Sequence, residues 1–574
     1  MNPHYSKVRA TPQSEWTRRP ATASSAGSTS PTGGNAASDP PAKYSKASQR
    51  ELRAGRARFR LSLREAPVDV VLFAVLLLLS AVTRFWRLTR PASVVFDEFH
   101  FGKFLTYYFT GEYFFDIHPP LGKLLLLLGA RLHGYNTSFG YDHIGRPYPD
   151  RSYLGPRAVA AVFGTLIVPL TYAVGREWGM SAEASALAAS WLLLDMCLTI
   201  ESRLILVDSQ VVFFSALSLY CVLRLWATRN RTRQRWRWLL LTGIACGCAI
   251  STKWTALATP ALGGLLSLSG SRALLGTRHR LPLWQCALVG VIALSLYSAC
   301  FWVHFRLLPR HGTGDEFMLP DFKITLAGRP DHDPHAPAVP FWRKFRYLNL
   351  EMFRANARIS ERHPWESKWH SWPLTRRGLL YWIHAQRIPL SPAGTLLLNE
   401  SVPLQNSTAP AGPYAIHEAR VYLLINPVVA WGSLLALAVF MAMWTQRLLR
   451  WATQGARAQR QLLDKAGPHG ARYWNRFYAV GLFFYAGWAL NLLPYLGVRR
   501  PAFLYHYLPG LYYAVLLAAW LVDRALPSAT VRRVLVAAAV ALASWAFLYF
   551  APWVYGLPLT PAQQQARQWF AGWK

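Results

Sequence analysis

Acidic residues are scarce in this chain. It holds 28 Asp and Glu among 574 residues, and 16% of all residues are charged. A water-soluble protein carries nearer a quarter, so the composition excludes an ordinary soluble domain. Cysteine is also rare, and all six lie in or beside apolar runs without a metal-ligand spacing. This distribution excludes a disulfide framework in the loops and a cysteine-based zinc site.

Basic and aromatic residues are abundant instead. The 62 Lys and Arg contribute to a formal charge of +34, a balance that first suggests a nucleic-acid-binding protein. The 25 Trp, 26 Tyr and 29 Phe argue against that class, because a basic protein in water has little use for so many large aromatic side chains. Apolar bulk, excess base and aromatic residues together indicate a protein of the lipid bilayer.

Runs of apolar residues recur along the chain, and a helix needs about 20 residues to cross the hydrocarbon of a bilayer. Eleven runs approach or reach that length, and the weakest is short and interrupted by Pro260. The sequence therefore predicts an all-α integral membrane protein with about 11 transmembrane helices. The runs are 68–85, 159–174, 182–200, 205–226, 238–250, 255–268, 283–303, 422–444, 477–496, 503–522 and 534–553.

These runs divide the chain into four parts. The polar, basic segment at 1–67 is predicted to be disordered, because its Ser, Pro, Gly and Ala residues cannot bury a core. Residues 68–303 form a predicted N-terminal membrane module that includes a long loop at 86–158. Residues 304–421 form a second long loop, and residues 422–574 form a C-terminal membrane module.

Basic residues outside the spans are concentrated on one side of the membrane. Residues 1–67 hold 12 Lys and Arg, and the short segments at 229–237, 272–280 and 447–476 are also rich in Arg. If the spans alternate, all four segments face the same side, and the positive-inside rule makes that side cytoplasmic. The N-terminus is therefore predicted to be cytoplasmic, with the C-terminus and both long loops on the opposite side.

The first long loop carries two adjacent carboxylates, Asp97 and Glu98, among aromatic residues. Burial beside hydrocarbon raises the pKa of a carboxyl group, while a nearby Arg keeps it ionised. That balance suits a general base that acts on a hydroxyl. The alternative is that the pair only caps the helix that follows, where the helix dipole favours acidic groups. The pair alone supports both interpretations equally.

Basic residues recur at the ends of spans on the same side as the acidic pair. A single Arg or Lys in such a place can extend to the interface without any function. Several of them around a carboxylate predict a phosphate site at the lipid surface, and hence a lipid-phosphate donor whose head group is transferred. The candidates at the span ends are Arg157, Arg203, Lys253, His506 and Arg499, which is chosen from the pair Arg499–Arg500. The first loop adds Arg84, His118 and Lys123.

Several motifs resemble, in their order along the chain, those of the protein O-mannosyltransferases. The resemblance begins with the loop from Arg84 to Lys123, which contains the acidic pair and a His-Pro-Pro-Leu-Gly-Lys turn, and it covers about residues 70–555. The further motifs are Ser202-Arg203-Leu-Ile-Leu-Val-Asp208, Ser251-Thr-Lys253-Trp254, Gly312-Thr-Gly-Asp315-Glu-Phe-Met318, His363-Pro-Trp-Glu-Ser367, Asn426-Pro-Val-Val and Phe503-Leu-Tyr-His506-Tyr-Leu-Pro509.

This resemblance implies a GT-C-type membrane enzyme that moves mannose from dolichyl-phosphate-mannose to Ser or Thr of proteins in the lumen of the endoplasmic reticulum. It implies inversion at the sugar, with Asp97 as the base and Glu98 as its support, and it matches Arg84 and Arg157 to functionally important arginines. It also implies membrane lipid and acceptor proteins as partners, a homo- or heterodimer, and neither a metal nor a nucleic acid.

The second long loop departs from the family pattern. Eukaryotic members usually carry a β-trefoil MIR domain there, whereas the space between the Gly312 and His363 motifs is too short for one. The sequence therefore predicts a form that lacks this domain. Residues 341–359 predict an amphipathic helix on the membrane face. The Asp and His residues at 331–335 favour a solvated turn over a metal site.

Three other functions remain as alternatives. A transporter would carry charges in the middle of its spans or paired discontinuous helices, whereas the charges here cluster at one face. Another GT-C glycosyltransferase would share the acidic loop and the basic ring but not the His118 and His363 motifs. A catalytically silent subunit of a mannosyltransferase pair is disfavoured because Asp97 and Glu98 are both present.

Overall fold

The computed structural model describes residues 66–228, 232–270, 280–389, 402–403, 414–465, 467–526 and 528–573. The segment at 1–67 that was predicted to be disordered therefore lies almost wholly outside the described residues. Helices account for most of the described chain. In the first half they are α1 Pro67–Phe85, α2 Glu98–Thr110, α3 Leu121–His133, α4 Leu154–Glu177, α5 Ala182–Leu193, α6 Met196–Glu201, α7 Asp208–Ala227, α8 Arg233–Thr252, α9 Ala258–Ser269 and α10 Leu283–Leu307.

The second half contains seven further helices and four strands among its described residues. The helices are α11 Pro320–Lys323, α12 Phe341–Arg358, α13 Pro427–Lys465, α14 Gly467–Leu492, α15 Leu508–Ala525, α16 Ala529–Tyr555 and α17 Pro561–Arg567. The strands are β1 Leu379–Pro389, β2 Val402–Pro403, β3 Tyr414–Leu423 and β4 Pro558–Leu559.

Seven helices in the described part of the chain are long and apolar enough to cross a membrane. This confirms a multispanning helical membrane protein. Each of the eleven predicted runs overlaps a helix. Four of these helices are not among the seven, namely α5, α8, α9 and α15, and two of the four, α5 and α9, have only 12 residues each. Eleven crossings therefore stay a prediction. The seven are α1, α4, α7, α10, Pro427–Gly455 within α13, Tyr473–Leu496 and α16.

The amphipathic helix predicted at 341–359 is confirmed as α12, which ends one residue earlier. Leu348 and Met352 on its inner face are buried, whereas Trp342 and Phe353 are 65% and 66% exposed. A helix with one buried and one exposed apolar edge is suited to lie at a membrane surface.

An antiparallel sheet that the sequence did not predict joins β1, β2 and β3, from the region of the second loop, to β4, which follows α16. Its strand order is β2-β1-β3-β4, and the long pairing joins Leu379 to Leu423 at one end and Pro389 to Tyr414 at the other. The prediction of an apolar span from residue 422 combined the end of β3 with α13. These are separate elements because the Asn426 side chain accepts a hydrogen bond from the backbone N–H of Val428 (3.1 Å), where the helix begins.

Candidate active site

Asp97 directly precedes helix α2 in the chain. The side chain makes no capping hydrogen bond at the start of α2, and no other hydrogen bond reaches its carboxylate among the residues that the structure describes. The interpretation of Asp97 as a helix cap is therefore not supported. The residue before it, Phe96, has a φ of +44°, a left-handed conformation that is uncommon for a bulky residue and is often associated with functional sites.

Glu98 has the opposite environment, because it is fully buried and its carboxylate accepts five hydrogen bonds. Arg157 donates two of them, from Nε to Oε1 and from Nη2 to Oε2, each at 2.7 Å. The backbone N–H groups of Val95 (3.0 Å) and Ile205 (2.9 Å) and the hydroxyl of Tyr148 (3.2 Å) donate the others. This arrangement joins the first loop, α4 and the segment after α6 at one carboxylate.

Arg157 has no N–H group left for a substrate. In addition to its bonds to Glu98, it donates to the backbone carbonyls of Leu88 (3.3 Å), Pro91 (2.8 Å) and Ser93 (3.3 Å). The prediction that Arg157 binds a donor phosphate is therefore not supported by its contacts. Its position favours a role in fixing the first loop, because an arginine has only five N–H donors and all are used here.

Arg84 and Arg203 are likewise directed at the protein backbone. Arg84 donates to the carbonyls of Leu192 (3.0 Å) and Leu193 (2.9 Å), at the C-terminus of α5. Arg203 donates to the carbonyls of Arg84 (2.8 Å) and Trp86 (2.6 Å), at the C-terminus of α1. Cations at these positions stabilise helix ends, so the predicted role of both arginines in phosphate binding also lacks geometric support.

Lys123 is committed in the same way. Its ammonium group donates to the Asp116 carboxylate and to the backbone carbonyls of His118 (2.9 Å) and Pro119 (3.2 Å), which uses all three of its N–H groups. The ion pair fixes the His-Pro-Pro turn before α3. Lys123 therefore supports the predicted site residue His118 and is not itself free to bind a phosphate.

Lys253 lies near Asp97, and His118 and His506 share with Asp97 the charged neighbours Lys253 and Arg500. Lys253 donates two hydrogen bonds to Asp208, at 2.9 Å to each carboxylate oxygen, and its positive charge acts on Asp97. Its third N–H group has no described hydrogen-bond partner among the residues that the structure covers. Burial, together with the charges of Lys253 and Lys123, lowers the pKa of His118 well below its usual range.

Arg500, and not Arg499, faces this group. Its Nη1 donates to the side-chain oxygen of Asn356 on α12 (2.7 Å), and its Nη2 lies 3.5 Å from Nε2 of His506. Its charge acts on Asp97, whereas Arg499 is exposed. The role of Arg499 as a phosphate ligand stays a prediction, and the spacing of two adjacent arginines gives no signal for choosing between them.

The electrostatic balance at Asp97 suits a general base. Burial raises the pKa of its carboxyl group to about 7, and the negative charges of Asp208 and Asp116 act in the same direction. Lys253 and Arg500 oppose the shift. A base with a pKa near the working pH combines a useful ionised fraction with good proton affinity.

Metal ligands are not grouped in the described residues, where no cluster of three or more His, Cys, Asp or Glu side chains could hold an ion. The loop at 331–335 uses its polar groups internally. Asp331 pairs with Arg329 (2.7 Å), and Asp333 accepts a hydrogen bond from the backbone N–H of His335 (2.8 Å).

Comparison with solved structures identifies the fold. The described chain matches a protein of the Saccharomyces cerevisiae protein O-mannosyltransferase Pmt1–Pmt2 complex bound to the sugar donor with a TM-score of 0.74 and 20% sequence identity. The match covers 91% of this chain and 94% of the other. The fold is therefore that of a multispanning GT-C membrane glycosyltransferase.

Comparison of the sequence with family models narrows this class. The model described as "Dolichyl-phosphate-mannose-protein mannosyltransferase" matches residues 74–309, and "C-terminal four TMM region of protein-O-mannosyltransferase" matches residues 341–573. The chain belongs to the protein O-mannosyltransferase family.

Curated relatives align with about half of the chain. Dolichyl-phosphate-mannose–protein mannosyltransferase 4 of Schizosaccharomyces pombe is 37% identical over 272 residues, which are 45% of this chain and 35% of the relative. Protein O-mannosyl-transferase 2 of Danio rerio is 35% identical over 288 residues, 48% of this chain and 37% of the relative. The matched region thus spans little more than a third of each relative's length.

Removal of the two adjacent carboxylates should affect the stability of the protein to different extents. Glu98→Ala leaves the buried Arg157 without its counter-ion and should lower the free energy of unfolding by about 3–5 kcal/mol. Asp97→Ala removes a carboxylate without hydrogen bonds and should change stability little. Thermal unfolding of both variants in detergent tests this, and an equal loss in both would contradict the division of roles.

Proposed function

We propose that this protein transfers mannose from dolichyl-phosphate-mannose to Ser or Thr hydroxyls of acceptor proteins. The observation that carries the proposal is the Asp97 carboxylate, without a described hydrogen-bond partner and with a pKa raised to about 7, beside the cations Lys253 and Arg500. A base next to a cationic site is the arrangement that transfer from a phosphate-linked sugar to a hydroxyl requires. Membership of the family supports mannose as the sugar.

In this proposal Asp97 accepts the proton of the acceptor hydroxyl. The hydroxyl oxygen forms a bond to the anomeric carbon of mannose, on the face opposite the phosphate. The bond between that carbon and the phosphate oxygen breaks, and dolichyl phosphate leaves with the electron pair. Attack and departure on opposite faces convert a β-linked donor into an α-mannoside, and the enzyme contributes by holding the groups in line.

The leaving phosphate is stabilised by Lys253 and Arg500. Lys253 retains one N–H group beyond those bound to Asp208, and Arg500 retains N–H groups beyond the one bound to Asn356. The imidazoles of His118 and His506 share the charged neighbours Lys253 and Arg500 and supply further hydrogen-bonding groups. We propose that these groups provide the charge that the departing phosphate needs, without a metal ion.

An apolar groove beside this site suits the hydrocarbon tail of such a donor. It lies between α10 and α12 and is open towards the region where lipid would be, since Leu294 and Trp302 are 60% and 53% exposed. Its lining includes Val291, Leu294, Ser298, Trp302, Trp342 and Leu350. An elongated apolar surface on a membrane helix is suited to a polyprenyl chain.

A chain of polar contacts connects this groove to the cationic site. Asn349 on α12 accepts a hydrogen bond from the hydroxyl of Tyr297 (2.5 Å), which accepts one from Nε1 of Trp254 (3.0 Å). Trp254 directly follows Lys253 in sequence. We propose that a donor with its tail in the groove places its phosphate at Lys253.

The cellular setting follows from the same proposal. We propose that the protein lies in the membrane of the endoplasmic reticulum, with a cytoplasmic N-terminus and with Asp97 on the lumenal side, where acceptor proteins enter. The yeast structure with the same fold is a complex of two protein O-mannosyltransferases. A homodimer or a heterodimer with a second family member is therefore the proposed assembly, together with membrane lipid and Ser- or Thr-containing acceptors.

Purified protein with labelled dolichyl-phosphate-mannose and a Ser/Thr-rich peptide tests the reaction. Because the base must be ionised, kcat/KM should rise about tenfold per pH unit below about pH 7 and level off above it. Asp97→Asn should lower transfer by about 10²- to 10⁴-fold. Undiminished transfer by this variant would contradict the mechanism, and transfer from a different lipid-linked sugar alone would favour another glycosyltransferase activity.

The adjacent arginines provide a matched pair for the phosphate site. Arg500→Ala removes a charged hydrogen bond of about 1.5–3 kcal/mol and should raise KM for the donor about 10- to 100-fold. Arg499→Ala, which removes the same charge one residue away, should leave KM within about twofold. Donor titrations of both variants decide between the two arginines. A larger rise in KM for Arg499→Ala than for Arg500→Ala would favour Arg499 as the phosphate ligand.

Donor chain length tests the groove. Ser298→Trp fills the groove and should raise KM for the full-length dolichyl donor, while transfer from a mannosyl phosphate with a short prenyl chain stays unchanged. Leu548→Trp is the control for added bulk at another apolar surface position, because the Leu548 side chain on α16 is 70% exposed. Equal effects of Ser298→Trp on both donors would place the tail elsewhere.

A further inference from the structure

The direction of the Asp97 carboxylate is set by its two neighbours in sequence. Its own oxygens accept no described hydrogen bond, so nothing in the described residues holds the side chain directly. On one side, Glu98 is fixed by its five hydrogen bonds. On the other, Phe96 holds a backbone conformation with φ at +44° that a bulky residue adopts only when its surroundings impose it. The contacts of Phe96 therefore decide where Asp97 points.

The ring of Tyr381 provides the main contact of this kind. It stacks on the ring of Phe96 with centroids 4.2 Å apart and planes 11° from parallel. The ring of Phe503 meets Phe96 from another direction, edge-on at 6.2 Å. An offset stack of this closeness limits the rotation of both rings, and a rotation of Phe96 would move the backbone that carries Asp97.

Tyr381 reaches Phe96 because of an irregularity in strand β1. Leu380 pairs with Tyr422 and Trp382 pairs with Val421, so Tyr381 is an extra residue between two consecutive pairs of the ladder. A bulge of this type redirects a side chain relative to the regular alternation of the strand. Tyr381 is 2% exposed, which means that it faces the interior near the first loop instead of the solvent.

The hydroxyl of Tyr381 donates a hydrogen bond to the carboxyl group of Glu201, at the end of α6. Glu201 is 1% exposed, and the mechanism of transfer does not use it. Its charged neighbours are Asp97, Asp208 and Lys253. The tyrosine is therefore held at both ends, by the sheet backbone and by α6, while its ring face rests on Phe96.

We propose that Tyr381 and Glu201 are positioning residues for the transfer reaction. The hydrogen bond to Glu201 fixes the ring of Tyr381, the ring fixes Phe96 in its left-handed conformation, and Phe96 directs the Asp97 carboxylate towards the acceptor hydroxyl. In the part of the chain that the structure describes, neither residue makes a hydrogen bond or ion pair with Lys253 or Arg500, so both are assigned a role through Phe96. The inference rests on the proposed function, because the quantity that it affects is the rate of proton transfer to Asp97.

The decisive variants separate the hydroxyl group from the ring. Tyr381→Phe keeps the stack on Phe96 and removes only the hydrogen bond to Glu201. We expect kcat to fall about tenfold, with KM for the donor within about twofold and the midpoint of the acidic limb of the pH profile unchanged. Glu201→Gln, which retains an oxygen that accepts the bond, should keep kcat within about threefold of the wild type, whereas Glu201→Leu should match Tyr381→Phe.

Tyr422→Phe is the matched control, because it removes another buried tyrosine hydroxyl from the adjacent strand, one that donates to the carbonyl of Gly572 (3.3 Å). Its kcat should stay within about twofold. Thermal unfolding of every variant identifies any loss that comes from misfolding.

The outcomes distinguish the inference from the function on which it rests. If the wild type is active and Asp97→Asn is not, three results overturn the positioning role alone. They are an undiminished kcat in Tyr381→Phe, a loss of kcat in Tyr422→Phe equal to that in Tyr381→Phe, and an equal loss of kcat in Glu201→Gln and Glu201→Leu. A change in the pH midpoint of Tyr381→Phe would show that Glu201 acts through charge and would also overturn it. Absence of mannose transfer by the wild type overturns both.

Discussion

The buried ion pair between Glu98 and Arg157 is the constraint on which the candidate site depends. Two desolvated charges are tolerated in a protein interior only if their hydrogen bonds are complete, and here they are. The pair brings together the first loop, α4 and the chain after α6. Because Glu98 is used entirely in this way, its neighbour Asp97 directly follows a fixed segment, and its carboxylate accepts no hydrogen bond from the residues that the structure describes.

The basic residues of the site region divide by the same principle. Arg84 and Arg203 donate to carbonyls at helix C-termini, and Lys123 donates to the turn before α3, so these cations stabilise the scaffold. Lys253 and Arg500 donate fewer hydrogen bonds, and their positive charges interact electrostatically with Asp97. Residue type alone does not separate the two groups, since the difference lies in the number of donors already bound.

The sequence was sufficient for features that depend on local pattern. Apolar runs predicted the helices, and the amphipathic period predicted α12. The features that it did not reveal depend on contacts between distant residues. The pairing of β1 with β3 leaves no strong local signal, and neither the satisfied donors of Arg157 nor the different directions of Arg499 and Arg500 can be read from spacing.

The groups around Asp97 come from both regions that the family models match separately. Residues 74–309 supply Asp97, His118 and Lys253, whereas residues 341–573 supply Arg500, His506 and the Tyr381 contact. Under the proposed mechanism, the first region alone would hold the base and Lys253 without Arg500, and the second region alone would hold Arg500 without a base. The proposed reaction thus needs groups from both regions, so the packing of one region against the other matters to it as much as the reacting groups do.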